Sequence, residues 1–491
     1  MPTTRTALAA VFAGALLSVS TAACSEAESQ PEAAEQLDAA EFASSVTTPA
    51  LTGHLEELER IAAENDGNRA AGTSGYDASV DYVAEQLRGA GFDVETPEFS
   101  FTDFTVAAES LRAPSGDVPV VALSYSPSTG PDGITGRLVA APDDETPGCE
   151  ATDYDGLDVA GAVVLVTRGV CPFADKQSIA AERGAAAVIV ANNAPEPLTG
   201  GTLGDPAAAR IPTGGIGQAE GAALAAAVGE VTLVLDTTTE ERTSRNVIAQ
   251  TATGSTEDVV MVGAHLDSVP DGPGINDNGT GVAAVLESAK QLGAEPGVTN
   301  AVRFAFWGAE ELGLVGSDEY VAALSEEELA DIALYLNFDM LGSENAGYLT
   351  YDGDDSDAQG EGPGPAGSDA IERTFVRYLS EQGIEAAGTD FDGRSDYGAF
   401  IAKGIPSGGV FSGADDVKTP EQAAMWGGEA DVPYDRNYHT PGDTLAALDT
   451  EALGVNGSAV AYGVAAYALS VEGPDGVPSG EARTQARDGG E

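Results

Sequence analysis

Apolar side chains recur at helical spacing between His54 and Asn65, at Leu55, Leu58 and Ile61/Ala62, and again from Ala78 to Leu87, where Gly89 and Gly91 close the run. Both runs predict core-packing helices, joined by the glycine-bearing loop from Asn68 to Gly75. Between about Ser115 and Glu240 the pattern changes to short strands separated by Pro/Gly turns, such as Pro119 to Leu123 and Ala162 to Val166. That block also holds a helix-like run, Lys176 to Arg183, and an unbroken apolar strand, Ala186 to Ala191. After Arg242, strand and helix alternate: strand Val259 to Ala264, helix Val282 to Leu292, strand Val302 to Trp307, helix Leu312 to Ala323, strand Ala333 to Phe338. Such alternation predicts a sheet flanked by helices, with right-handed crossovers making neighbouring strands parallel. Past Glu472 the tail is Gly, Pro, Ser, Glu and Arg and is expected to be disordered.

The N-terminus has a different grammar. Arg5 precedes an apolar stretch, Thr6 to Ala23, that ends in the small residues Ala22 and Ala23, the three parts of an export signal. Cys24 follows Thr21-Ala22-Ala23, which resembles a bacterial lipoprotein cleavage box with Thr21 where Leu is usual. Cysteine parity agrees: in an oxidising compartment Cys149 and Cys171 can pair, and lipidation would account for the leftover Cys24. Ordinary secretion, with Cys24 removed or free, is the alternative. The acidic, Gln/Ala/Pro-rich residues that follow read as a flexible tether.

With 491 residues, of which 42% are hydrophobic, the chain can bury a sizeable core in two or three units. Its 80 acidic against 22 basic residues give a formal charge of −58, which excludes nucleic acid and anionic lipid as natural partners and makes any single Asp or Glu weak evidence of function. Histidine is informative for the opposite reason. There are three, His54, His265 and His439, so a site using imidazole has almost no choice of ligand.

In open α/β sheets, ligands bind beyond the carboxyl ends of strands. His265 ends one predicted strand, Glu310 and Glu311 follow a second, Asp339 ends a third, and Asp277 lies in a glycine-bearing loop just before a helix. Singly, each has a plain structural explanation as a cap, turn or core residue. Together, two of three histidines and three strand-end carboxylates can meet at one rim. A His/carboxylate set without cysteine suits zinc or another borderline divalent ion, and five ligands exceed one tetrahedral site and suit two metals sharing a carboxylate. His54 falls on a polar helix face and reads as a surface residue.

The stretches Gly263-Ala264-His265-Leu266-Asp267-Ser268, Gly274-Ile275-Asn276-Asp277-Asn278-Gly279, Gly308-Ala309-Glu310-Glu311-Leu312-Gly313-Leu314, Asn337-Phe338-Asp339-Met340 and Tyr438-His439-Thr440 resemble the co-catalytic zinc aminopeptidase family, which includes secreted bacterial leucine-type aminopeptidases. The resemblance covers Arg242 to Glu472 and implies an α/β fold, a mixed, mostly parallel sheet between helices. It further implies that His265 and Asp339 hold one zinc, Glu311 and His439 a second, that Asp277 bridges them, and that Glu310 is the general base. Asp267 fits a carboxylate accepting the other N–H of His265, Tyr438 resembles the family's oxyanion-binding phenol, and Arg394 its substrate-contacting arginine. Asp443 reads as a helix cap or a support for His439, the cap preferred. The block containing Gly169-Val170-Cys171-Pro172-Phe173, Lys176, Ala180-Ala181, Gly184-Ala185-Ala186-Ala187-Val188 and Asn192-Asn193 resembles the β-rich protease-associated domain inserted in secreted peptidases.

The expected organisation is therefore a signal peptide with a possible lipid-anchor site at 1–24, a tether at 25–50, the peptidase domain at 51–114 and 241–472, the protease-associated domain at 115–240 and a disordered tail at 473–491. The expected activity is an exported, two-zinc aminopeptidase acting on peptides. A zinc carboxypeptidase, a glutaminyl cyclase or a non-catalytic binding protein on the same scaffold are the rivals.

Overall fold

Strands Asn300–Trp307, Ser255–His265 and Ile332–Asn337 lie side by side and parallel, and each is apolar on both faces. Val260, Val262, Phe304, Phe306, Leu334 and Leu336 meet helices Thr48–Glu64, Ser74–Gly89, Gly281–Leu292 and Thr450–Leu469 on one side. Met261, Ala305, Trp307 and Tyr335 meet helices Val315–Ala323 and Tyr397–Ile401 on the other. Burial on both faces is why these strands read as continuous apolar runs rather than alternating ones. Ser407–Gly408 extends the parallel set, while Val247–Gln250 and Val94–Glu95 add an antiparallel edge, giving a six-stranded mixed sheet. The computed structural model describes residues 37–488 except 228, 359 and 361, together with residues 4 and 9. Cys24 and nearly all of the expected export signal lie outside the described residues.

A second sheet of eight strands carries the β-rich block. Its centre, Ile134–Ala140, Val163–Thr167, Ala187–Ala191 and Thr213–Ile216, is parallel. Two long antiparallel strands, Glu98–Ala113 and Glu230–Arg245, and two short edge strands, Gly116–Val118 and Val121–Ala122, complete it, and the long pair joins the block to the main sheet. The accessory sheet thus begins at Glu98 and ends at Arg245, wider than the expected 115–240, because turn residues mark only its interior. Cys149 and Cys171 form the expected disulfide.

Three expectations about order and burial are corrected. The tether was expected to reach residue 50, yet Phe42, Ala43 and Val46 are buried in the main core and helix Ala39–Ala43 packs on Thr450–Leu469. The tail beyond 472, expected to be disordered, contains helix Gly480–Asp488. Arg483 pairs there with Asp258 and donates to Glu257 O and Ala330 O, and Arg487 donates to Leu329 O and Ile332 O. Backbone carbonyls of strands Ser255–His265 and Ile332–Asn337 and of helix Glu326–Asp331, with one acid, supply partners that composition cannot reveal. His54, expected on the surface, is buried: its ring nitrogens lie 2.6 Å from Tyr82 Oη and 3.1 Å from Glu287 Oε2, on two packed neighbouring helices.

Candidate metal centre

Strand register brings the site together. Gly263 is paired with Asn337, so two residues further along each parallel strand His265 and Asp339 emerge side by side. His265 is level with Trp307, and the turn beyond that strand presents Glu310 and Glu311. Glycine is required at 263, since a Cβ there would stand 2.4 Å from Tyr335 Oη and 2.7 Å from Trp307 Nε1. Ala309, Met340 and His439 adopt left-handed φ values of 57°, 51° and 55°. Each such residue costs on the order of 1–3 kcal/mol and persists only where surrounding contacts impose it.

Asp277 divides its carboxylate between the two histidines. Its Oδ1 lies 3.2 Å from His265 Nε2 and its Oδ2 lies 3.1 Å from His439 Nε2. Asp339 Oδ1 is 3.3 Å from His265 Nε2, and Glu311 Oε2 is 3.0 Å from His439 Nε2. Glu310 Oε2 stands further from His265, at 3.9 Å. All five expected ligands and Glu310 are thus in one cluster.

The cluster is electrostatically unfinished by protein atoms alone. Four carboxylates crowd two imidazoles, and Glu311 Oε1 and Asp339 Oδ1 are buried without a hydrogen-bond partner among the described residues. Burial, with Asp277 adding repulsion, pushes Glu311 up to about 7. Burial also drives Glu310 well above the usual carboxylate range, with Asp396, Asp339 and Glu311 adding to it against His265. Burial opposes charging His439, but hydrogen bonds to Asp277 and Glu311 outweigh it and raise this imidazole to about 10. Buried like charges are tolerated when a cation holds them. This N/O donor set, with two buried oxygens lacking a hydrogen-bond partner and with ligand atoms of His265, Glu310 and Asp339, and of His265, Asp277 and Glu311, each within 4.8 Å of one another, fits zinc.

Several supports were not legible in the sequence. Ser395 Oγ donates to Asp339 Oδ2 at 2.7 Å and accepts from Asn337 Nδ2 at 2.8 Å. Arg69, from the loop between the first two long helices, is fully buried and donates to Leu266 O, Pro273 O and Gly274 O, pinning the segment that carries Asp277. Asp443 does not cap the short helix Leu445–Ala447 that follows it, and among the described residues it makes no hydrogen bond or ion pair with His439. Its two oxygens accept from Asn276 N at 2.7 Å and Asp277 N at 3.0 Å, so it orients the bridging loop.

Asp267 faces His265 as expected, its Oδ1 3.7 Å and its backbone carbonyl 3.2 Å from His265 Nδ1, and its carboxylate also accepts from the Glu310 and Glu311 amides at 3.2 and 3.3 Å. Tyr438 stacks on His439 with ring centroids 3.8 Å apart, and its hydroxyl accepts from Arg394 at 3.2 Å. Arg394 lines the cleft and also pairs with Asp415 at 2.9 Å. A further acidic group, Asp352, Asp354 and Glu372, contains no imidazole; Asp352 accepts from the Ser356 and Asp357 amides and Glu372 from that of Gly353.

Comparison with known proteins agrees with this geometry. Residues 246–464 match the model of peptidase family M28, and residues 134–224 match that of the PA domain. The chain is 56% identical over 454 residues to a probable lipoprotein aminopeptidase of Mycobacterium tuberculosis, covering 91% of each sequence. It is 43% identical over 425 residues to leucine aminopeptidase 2 of Trichophyton rubrum, covering 85% of this chain and 84% of that one. Among solved structures, an aminopeptidase from an Aneurinibacillus species superposes with a TM-score of 0.70 at 29% identity, over 88% of this chain and 96% of that one. A zinc aminopeptidase from Bacillus subtilis superposes at 0.63 with 27% identity, over 89% and 99%. The chain belongs to peptidase family M28, with a PA domain inserted in its peptidase fold.

Proposed function

We propose that this protein is an exported aminopeptidase that holds two zinc ions and removes N-terminal residues from peptides, with Glu310 as general base. The observation that carries the reading is the division of Asp277 between His265 and His439, one oxygen to each at 3.2 and 3.1 Å, the arrangement a bridging carboxylate needs. His265 and Asp339 would hold one ion, Glu311 and His439 the other. Bound there, zinc supplies Lewis acidity, which polarises the scissile carbonyl and lowers the pKa of the attacking water.

The chain's own groups do the rest. Glu310 is set back from the ligand atoms and its buried carboxyl has a raised proton affinity, so it takes the water's proton and returns it to the leaving amine. The Asp267 carboxylate holds the Glu310 and Glu311 amides and so fixes which way each acid points. Arg394 donates to the Tyr438 hydroxyl, leaving the phenol's own proton free to stabilise the oxygen that gains charge at the scissile carbon. Export rests on the N-terminal pattern and on the relative named a lipoprotein aminopeptidase, with Cys24 as the proposed lipid-anchor residue.

A panel of aminoacyl amides, free and N-acetylated, with and without a strong chelator, tests the reading. Free substrates should be cleaved, acetylated ones resisted, and chelation should abolish turnover until zinc is restored. Hydrolysis of acetylated peptides from the carboxyl end, or chelator-resistant turnover by the pure protein, would overturn it.

A further inference from the structure

The cleft that contains the ligand cluster, about 550 Å³, does not end at the ligands. Beyond Thr389, Asp390, Phe411 and Asp416, which line it, lies a second recess of about 700 Å³ that shares those four residues. None of the five candidate ligands lines this recess, so it lies outside the reacting centre. Its approach is apolar: Met340 and Phe411 flank the cleft, and Tyr351, stacked on Phe391 at 5.2 Å, backs it. Beyond that apolar length the wall turns acidic.

Two of its acids, Asp390 and Asp416, are uncompensated. Among the described residues no hydrogen bond or ion pair engages the carboxylate of Asp390 or of Asp416. The Asp390 carboxyl is pushed up by burial and then by Asp357, Asp355, Asp352 and Asp392, so it sits in a field of like charge. The one Arg or Lys among the described residues lining the cleft, Arg394, is already engaged by Asp415 and Tyr438, the two histidines belong to the ligand cluster, and no Arg, Lys or His among the described residues lines the recess.

We propose that this recess receives the side chain of the substrate's first residue, and that Asp390 and Asp416 select a cation on a long aliphatic stem, lysine or arginine. The proposal rests on the aminopeptidase reading above and adds the substrate class. The stem packs between Met340 and Phe411, and the charged end reaches the two carboxylates, which recover in the complex the counter-charge they lack in the free protein. The α-ammonium group would instead stay among the acids of the ligand cluster, nearer the scissile bond.

Arginine and citrulline have the same length and shape but differ in charge, so they isolate the effect. The metal-loaded full chain is assayed on arginyl, citrullyl and leucyl p-nitroanilides at low and high ionic strength, beside Asp390→Asn, Asp416→Asn and the double variant, with thermal melting to show that each is folded. Two partly exposed pairs should favour arginyl over citrullyl substrate by about tenfold in kcat/KM, with the ratio shrinking as salt rises. In the double variant that ratio should approach one. A ratio near one in the unaltered protein overturns the proposal without any variant being needed. So does a loss that is equal for arginyl and citrullyl substrates, which would place the two acids on the α-ammonium. If no free aminoacyl substrate is cleaved, the aminopeptidase reading falls and this inference with it. If leucyl substrate is cleaved but charge confers no advantage, only this inference falls.

Discussion

The two sheets of this molecule solve the same problem with different parts. Each has a parallel centre, and in each a fully buried cation holds a neighbouring loop by its backbone. In the accessory sheet Lys176 donates to Pro147 O and approaches Cys149 Sγ at 3.3 Å, and the Cys149–Cys171 disulfide closes the same loop covalently. In the main sheet Arg69 gathers Leu266 O, Pro273 O and Gly274 O, with no covalent tie. Past the accessory strand ends come Arg168 and Asn192, hydrogen-bonded to each other at 3.3 Å. Past the main strand ends come acids and imidazoles among which two buried oxygens, Glu311 Oε1 and Asp339 Oδ1, have no hydrogen-bond partner among the described residues. A satisfied strand end is architecture, whereas an unsatisfied, rigidly held one is a site for something the chain does not itself provide.

The sharpest way to break this contrast is at the adjacent acids. Glu310→Gln should lower kcat by about 10²–10⁴-fold while metal content stays at the unaltered level, because the amide keeps its size but accepts no proton. Glu311→Gln should lose metal, since one of the two closest contacts of His439 is weakened. Metal analysis and kinetics on the same preparations decide between them, and the opposite pattern would reverse the two roles.

Next in size is the buried cation of each sheet. Arg69→Met removes the donors for three carbonyls and should cost on the order of 3–5 kcal/mol in urea unfolding, with weakened metal binding as the loop carrying Asp277 loosens. Lys176→Met should cost about 1–3 kcal/mol and leave metal content unaltered. Equal effects of both substitutions on metal content would erase the distinction between the sheets.

Smaller again is the disulfide. Replacing Cys149 and Cys171 by Ser should destabilise the accessory sheet by about 2–4 kcal/mol, read by hydrogen exchange in Val163–Thr167 and Ala187–Ala191, while turnover on a small aminoacyl amide changes little. A comparable loss of protection in Ser255–His265 would show that the two sheets unfold as one unit.

The strands and helices after residue 242 were readable because their signal is local: a run buried on both faces is apolar throughout, and helices announce themselves every three or four residues. Boundaries were less readable. The helix after Glu311 begins at Val315 rather than Leu312, since Gly313 and Leu314 both take left-handed conformations that a helix cannot include. The long strand Glu98–Ala113 escaped notice because about half of it lies over solvent, and its polar stretch resembles a loop.

The site shows the same division. Scarcity made His265 and His439 conspicuous, position after strands singled out Glu310, Glu311 and Asp339, and a glycine-bearing loop before a helix singled out Asp277, from a chain with 80 acidic residues. The structure brings these six together. Nothing local distinguishes Ser395 from any other serine, Asp443 could be singled out but not given its partners, and Arg69 looks like a loop residue until its partners are known.

By itself, then, the sequence determined the alternation that builds the main sheet, the type of chemistry its strand ends carry, and the cysteine pair of the accessory block, all properties carried by residue type and near neighbours. Only the tertiary structure decided which polar residues are buried and what they hold. His54 is buried by Glu287, 233 positions away, Arg69 finds its carbonyls 197 to 205 positions on, and Asp443 orients a loop 166 to 167 positions before it. A buried polar side chain is stable only with its partner, and when that partner is distant in sequence, no local pattern records the pairing.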